Sequence, residues 1–197
     1  VNLARFESEF GTRAGNRLFD ATAAATVRQI HSNRVIFAER PGVAGEGDAL
    51  ITQAAGLGLA IRTADCYPIL LADPVARAAA AIHAGWRGTA GRIVAETIRH
   101  MRERFGTNPA DLVAEIGPGI GECCYEVGPE VARHFGSEER MKVDLARANR
   151  DQLAEAGVTQ IGIDGRCTFC EAELFYSFRR EAENAGRMIS FIRILPD

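Results

Sequence analysis

The chain has 197 residues, 47% of them hydrophobic, and a formal net charge of -3. That length and apolar content build one substantial core without help from disulfides or metal, so a single domain over residues 1–197 is expected. The small negative charge, with Lys and Arg scattered, argues against nucleic acid and anionic membranes as partners and leaves small molecules.

The first ordered unit is expected within Ala23–Ile36, ending in Q-I-H-S-N-R-V, and Val35–Phe37 reads as a strand. Pro41–Gly47 reads as a glycine-rich loop, and Ala49–Thr52 and Leu57–Thr63 as strands joined through Ala54–Gly58. Pro68–Ala72 and Ala78–Ile82 suit the arms of an antiparallel hairpin turning at Asp73–Val75, a register that sets Cys66 opposite His83. From Ala90 to Phe105, Val94, Ile98, Met101 and Phe105 recur at helical spacing, and Gly106 ends the helix. Leu112–Ile116 reads as a strand leading into the tight G-P-G-I-G-E loop. Pro129–Phe135 reads as a short helix with Pro at its start, Ala146–Ala156 as another helix, and Gln160–Ile163 and Met188–Leu195 as strands. Strands and helices mix without strict βαβ alternation, which predicts an α+β, mixed-sheet architecture.

No apolar run reaches the length of a membrane span, and no basic segment followed by an apolar core opens the chain. The chain starts with Val, so a trimmed leader stays open. Five cysteines, with Cys123 and Cys124 adjacent, do not resemble a secreted disulfide framework, and a reducing cytoplasm fits better.

The segment A-A-A-A-I-H-A-G-W-R-G-T-A-G, Ala78–Gly91, delivers His83 to a glycine-rich turn before a helix. His83 suits a metal ligand or general base, and the turn with Arg87 suits an anion site. Equal weight goes to a hydrogen-bonded core histidine beside glycines that serve packing. Cys66 with His83 reads as a nucleophile and its base, or as two ligands of one metal. Adding His31 favours the metal, because two imidazoles and one thiolate leave a fourth position open, as in catalytic zinc. On the residues alone, His31 reads at least as well as a surface histidine. Asp65 suits a partner that orients a histidine or a substrate group, or an ordinary turn carboxylate. His100 and His134 sit on solvated, Arg- and Glu-rich segments and receive no role. C-T-F-C at Cys167–Cys170 needs a second pair to hold structural zinc, and adjacent Cys123 and Cys124 make a poor one, so buried thiols are expected there. Arg179 and Arg180 read as a surface pair ahead of the alternative, a pair that reaches an anionic substrate.

The set Q-I-H-S-N-R-V, D-A-L-I-T, T-A-D-C-Y-P-I-L-L-A-D, H-A-G-W-R-G-T, I-G-P-G-I, C-Y-E-V-G and C-T-F-C-E-A-E-L-F-Y-S-F-R-R resembles the polyphenol oxidase "laccase domain" family from about Val27 onward. That family is associated with purine nucleoside phosphorylase activity and with peptidoglycan editing. The resemblance implies an α-β-β-α sandwich and a metal, usually zinc and less often copper, on His31, Cys66 and His83. It also raises Asp65 and Arg87 as active-site residues. Two departures bear on substrate range: the stretch before Gln29 is short, and Ser32 stands where glycine is common.

The implied activity is zinc-dependent phosphorolysis of adenosine, inosine and, at the edge of the range, methylthioadenosine, with adenosine deamination as a second outcome. The alternatives are a metal-free Cys66–His83 amidase acting on cell-wall precursors and a non-catalytic module that binds metal or nucleotide. Four histidines are too few for the copper sites of a true laccase. Oligomeric state is not readable from the residues.

Overall fold

The computed structural model describes residues 5–197. Its strands are β1 (Phe6–Phe10), β2 (Ala24–Arg28), β3 (Val35–Phe37), β4 (Gly42–Glu46), β5 (Ala49–Thr52), β6 (Gly58–Thr63), β7 (Tyr67–Asp73), β8 (Ala78–Ala84), β9 (Val113–Ile116), β10 (Glu126–Val127), β11 (Met141–Lys142), β12 (Gln160–Ile163) and β13 (Met188–Ile194). The helices are α1 (Trp86–Ala90), α2 (Ile93–Phe105), α3 (Pro129–Ala132), α4 (Leu145–Glu155) and α5 (Phe178–Glu181). One sheet runs β1-β13-β6-β2-β4 and the other β12-β9-β7-β8-β5-β3, with β10 and β11 as a separate pair. Both large sheets mix parallel and antiparallel neighbours, giving the mixed α+β sandwich expected from the sequence.

The central strands are buried on both faces, which is why they read as unbroken apolar runs. Ile69 and Leu71 of β7, with Ala80 and Ile82 of β8, pack against Val94, Ile98 and Met101 of α2 and Leu153 of α4. The alternate residues Leu70, Ala72, Ala79 and Ala81 face Leu59, Ile61, Ile192 and Ile194 of the other sheet. The alanines of β8 thus fill both layers with small side chains and let the two sheets lie close. On the outer face of the five-stranded sheet, Ala24, Ala60 and Phe191 are covered by Leu18 and Phe19 from the short stretch before β2. No helix among the described residues is long and apolar enough to cross a membrane.

Four expectations need correction. Regular structure begins before Ala23, with β1 at Phe6–Phe10 paired to β13. The β7–β8 hairpin pairs Pro68 with His83 and Tyr67 with Ala84, so Cys66 falls opposite Gly85 instead of His83. The turn is longer than the sequence suggested because Asp73 Oδ1 accepts from Val75 N (3.0 Å) and Ala76 N (2.8 Å), and Arg77 closes it at φ 52. Cys66 and His83 still share a face, as diagonal neighbours. The helix expected from Ala90 starts only at Ile93: a separate short helix, α1, ends at Ala90, and the chain breaks at Gly91 and at Arg92, which sits at φ 59. Gln152 Nε2 donates to Thr89 O (2.8 Å) and Asn33 Nδ2 to Gly91 O (2.8 Å), so side chains take the carbonyls that a continuous helix would use. Finally, Pro41–Gly47 is not all loop: Gly42–Glu46 is an edge strand parallel to β2.

Candidate functional site

Three separate segments converge at one end of the sheets. The β2–β3 connection carries His31, the β6–β7 connection carries Cys66, and the end of β8 carries His83; their ligand atoms lie within 4.8 Å of one another. The two imidazole rings meet edge to face, with centroids 4.9 Å apart. Gly85 makes this approach possible, since a Cβ there would stand 2.8 Å from Cys66 Sγ and 3.4 Å from His31 Cδ2.

A residue to which sequence reasoning assigned no role organises the cluster. Asp48, at the entry to β5, is fully buried. Its carboxylate accepts from His31 N (3.0 Å), Ser32 N (2.6 Å), Ser32 Oγ (2.7 Å) and His83 Nδ1 (2.8 Å). The backbone bonds hold His31 at φ 57, a conformation that non-glycine residues rarely adopt. The bond to Asp48 favours the proton on Nδ1 and leaves the Nε2 lone pair free to ligate an ion. Burial alone would raise the Asp48 carboxyl, but the bonds from His83 and Ser32 hold it at about 2. The signal available in the sequence was a lone carboxylate at the head of the apolar run Asp48–Thr52.

Cys66 and His83 shift each other. Burial opposes charge on both, yet their mutual attraction, with His31 beside the thiol and Asp48 beside the imidazole, lowers the thiol and raises the imidazole. The donor set therefore fits a borderline-soft divalent ion: two imidazoles, a thiol prone to ionise, and a carboxylate behind one ring.

Of the two readings of Asp65, its contacts match the turn carboxylate and, among the described residues, give no bond to a histidine. Its Oδ1 accepts from Thr168 Oγ1 (2.7 Å), its Oδ2 from Arg179 N (2.7 Å) and its carbonyl from Ile120 N (2.8 Å). At φ 86 it bends the chain just before Cys66 and ties the surrounding loops together, while Asp48 is the carboxylate that meets a histidine. Arg87 is exposed, and its guanidinium lies 4.5 Å from the Trp86 ring centroid. Arg179 and Arg180 are not a bare surface pair. Arg179 lines the cavity, and Arg180 donates to the carbonyls of Thr168, Phe169 and Phe175.

The triad opens into a cavity of about 670 Å³. Five arginines, Arg28, Arg62, Arg87, Arg179 and Arg187, line it together with Trp86, Tyr125 and Phe178. Most of these were not singled out in the sequence, because they come from unrelated segments. His100 and His134 stand apart from the triad: His100 borders a different surface depression, and His134 packs on Trp86 at 5.5 Å.

The remaining cysteines also assemble, against expectation. The sulfurs of Cys123, Cys124, Cys167 and Cys170 lie within 4.8 Å of one another. Only Cys167 among them is buried; Cys123 and Cys170 are exposed.

Residues 9–195 match the family described as multi-copper polyphenol oxidoreductase laccase. The chain is 46% identical to a purine nucleoside phosphorylase of Deinococcus radiodurans, over 97% of this chain and 75% of that protein. It is 38% identical to adenosine deaminase RL5 of an unknown prokaryotic organism, over 84% of this chain and 72% of that one. The solved structure of Bacillus licheniformis hypothetical protein YfiH superposes with a TM-score of 0.91 at 28% identity, covering 98% of this chain and 94% of that one.

Proposed function

Since the chain belongs to the multi-copper polyphenol oxidoreductase laccase family, we propose that it is a zinc-dependent purine nucleoside phosphorylase of the cytoplasm, built as one domain. Its substrates are adenosine, inosine and methylthioadenosine with phosphate, and its products the free base and the ribose 1-phosphate. The observation that supports this reading is the meeting of His31, Cys66 and His83 with five arginines around one cavity.

His31, Cys66 and His83 hold the ion, with Asp48 aligning the His83 ring. When bound, zinc supplies a Lewis acid that stabilises developing negative charge or lowers the pKa of water. Arg87, just beyond Gly85, binds the phosphate dianion, and the other cavity arginines add positive potential. A phosphate oxygen forms a bond to the anomeric carbon as the bond to purine N9 breaks; the purine departs with the electron pair and takes up a proton. Trp86, Tyr125 and Phe178 offer faces for the base and sugar. Burial, reinforced by the charge of Cys66, pushes the Tyr125 phenol up to about 12, so it serves as a neutral donor at working pH. Asp65 keeps the Cys66 bend and the Arg179 backbone in place.

One observation favours a second chemistry. The lowered thiol of Cys66 beside the raised imidazole of His83 is also the pairing of a cysteine hydrolase, which would act on peptidoglycan precursors.

Metal-analysed protein incubated with adenosine, with and without phosphate, separates the readings when adenine, inosine and hypoxanthine are resolved by chromatography. Phosphate-dependent adenine that vanishes in Cys66→Ala and His83→Ala supports the phosphorylase. Phosphate-independent inosine indicates deamination at the same site. No product from zinc-loaded wild type rejects both in favour of the amidase, for which thiol alkylation should abolish activity while chelation leaves it intact.

A further inference from the structure

Four cysteines lie outside the cavity's triad and take no part in the chemistry above. Cys123 and Cys124 come from a turn closed by Cys124 N and Tyr125 N on Gly121 O, and Cys167 and Cys170 from the loop between β12 and α5. Cys124 Sγ lies 3.4 Å from Cys170 Sγ, and Cys123 Sγ lies 3.8 Å from it. Thiolates around zinc, at Zn–S distances of about 2.3 Å, stand about 3.8 Å apart along the edges of a tetrahedron. A disulfide brings its sulfurs to about 2.05 Å. The separations of 3.4 and 3.8 Å leave the sulfurs unbonded to one another and close to that tetrahedral edge.

The backbone is arranged for the same purpose. The amide of Gly121 donates to Cys167 Sγ at 3.2 Å, the kind of outer-shell contact that orients a metal-bound thiolate. A Cβ on Gly121 would stand 3.2 Å from Cys123 Sγ and 3.5 Å from Cys167 Sγ, so glycine leaves the room that the sulfurs need. The exposure of Cys123 and Cys170 gives an ion a way in.

We propose that Cys123, Cys124, Cys167 and Cys170 bind a second, structural zinc ion, distinct from the His31–Cys66–His83 site. Four sulfurs close the coordination sphere and leave no position for substrate, which separates this site from the triad in kind. It staples two irregular segments that are joined by the bridge between Gly119 and Cys167, which includes Thr168 N to Gly119 O (3.0 Å), and by Gly121 N to Cys167 Sγ (3.2 Å). Those segments matter to the cavity, because the first carries Ile120 and Tyr125 of its wall and the second holds Asp65 through Thr168. The proposal does not depend on the phosphorylase reading.

The test uses full-length protein, purified under reducing conditions and reconstituted with zinc alone. Wild type, Cys66→Ala and Cys124→Ser/Cys170→Ser are compared by elemental analysis and by X-ray absorption at the zinc edge. The expected result is one zinc fewer per chain in Cys124→Ser/Cys170→Ser, and a retained ion with four sulfurs at about 2.3 Å in Cys66→Ala. In wild type the cluster thiols should resist a chromogenic disulfide reagent until a chelator strips the metal. Equal zinc content in wild type and Cys124→Ser/Cys170→Ser overturns the proposal, as does full thiol reaction of wild type before chelation. If Cys124→Ser/Cys170→Ser does not fold, the thiol titration of wild type decides, since it needs no variant.

Discussion

Asp48→Asn is the substitution whose consequence follows most directly from the structure. The amide keeps nearly the shape of the carboxylate but exchanges one acceptor for a donor. Whichever way it is turned, an N–H₂ group faces either the Ser32 amide and hydroxyl, at 2.6 and 2.7 Å, or the His31 amide and His83 Nδ1, at 3.0 and 2.8 Å. Two charge-assisted bonds are lost at a fully buried position, at about 1.5–3 kcal/mol each, so the expected loss is roughly 3–6 kcal/mol. That is a large share of a stability of about 5–15 kcal/mol. The same change releases the His83 ring and the His31 backbone, and zinc affinity should fall by about 10–100-fold. Urea unfolding with chelator present measures the first effect without any contribution from metal. Competition against a chromophoric chelator measures the second. A variant within about 0.5 kcal/mol of wild type, with unchanged zinc affinity, would refute the idea that Asp48 organises the site.

Gly85→Ala should abolish metal binding at the triad, since the new methyl stands 2.8 Å from Cys66 Sγ, and should lower stability by about 1–3 kcal/mol. Elemental analysis beside a thermal melt checks this, and a folded variant with full metal content contradicts it. Arg87→Gln should raise the phosphate KM by roughly 10–100-fold, the loss of one charge-assisted bond, and leave zinc content unchanged. Steady-state rates against phosphate concentration provide the readout, and an unaltered KM moves the phosphate site elsewhere. Burial holds the phenols of Tyr67 and Tyr125 above their ordinary value of 10, Tyr125 at about 12. A phenol raised in the folded state contributes stability that is complete below pH 10 and is lost as pH climbs toward the folded value. An alkaline absorbance titration should show these two phenols still protonated at pH 10.5 in folded protein and ionised in urea.

Much of the frame was legible in the linear chain. Val94, Ile98 and Met101 mark the buried stripe of α2, half-buried Phe105 continues it, and Gly106 ends that helix at φ 71. The apolar runs Tyr67–Asp73 and Ala78–Ala84 became the central strands because periodicity and burial are local signals that survive folding unchanged. The T-A-D-C and H-A-G-W-R-G segments pointed to Cys66 and His83 at adjacent ends of one hairpin, since a hairpin converts sequence separation into proximity.

Tertiary structure decided what depends on contacts between distant segments. Asp48 meets His83 across 35 residues, and nothing in either local sequence announces the bond. Cys124 meets Cys170 across 46 residues only because Gly119 pairs with Cys167, so two cysteine pairs that look incompatible on paper share one small volume. The five cavity arginines come from segments between Arg28 and Arg187, and the hairpin register was set by the Asp73 side chain in the turn. Composition and periodicity select elements and the faces they bury. The meeting of polar groups is fixed by the packing of whole sheets, because each such group must find its partner wherever the apolar layers bring it to rest.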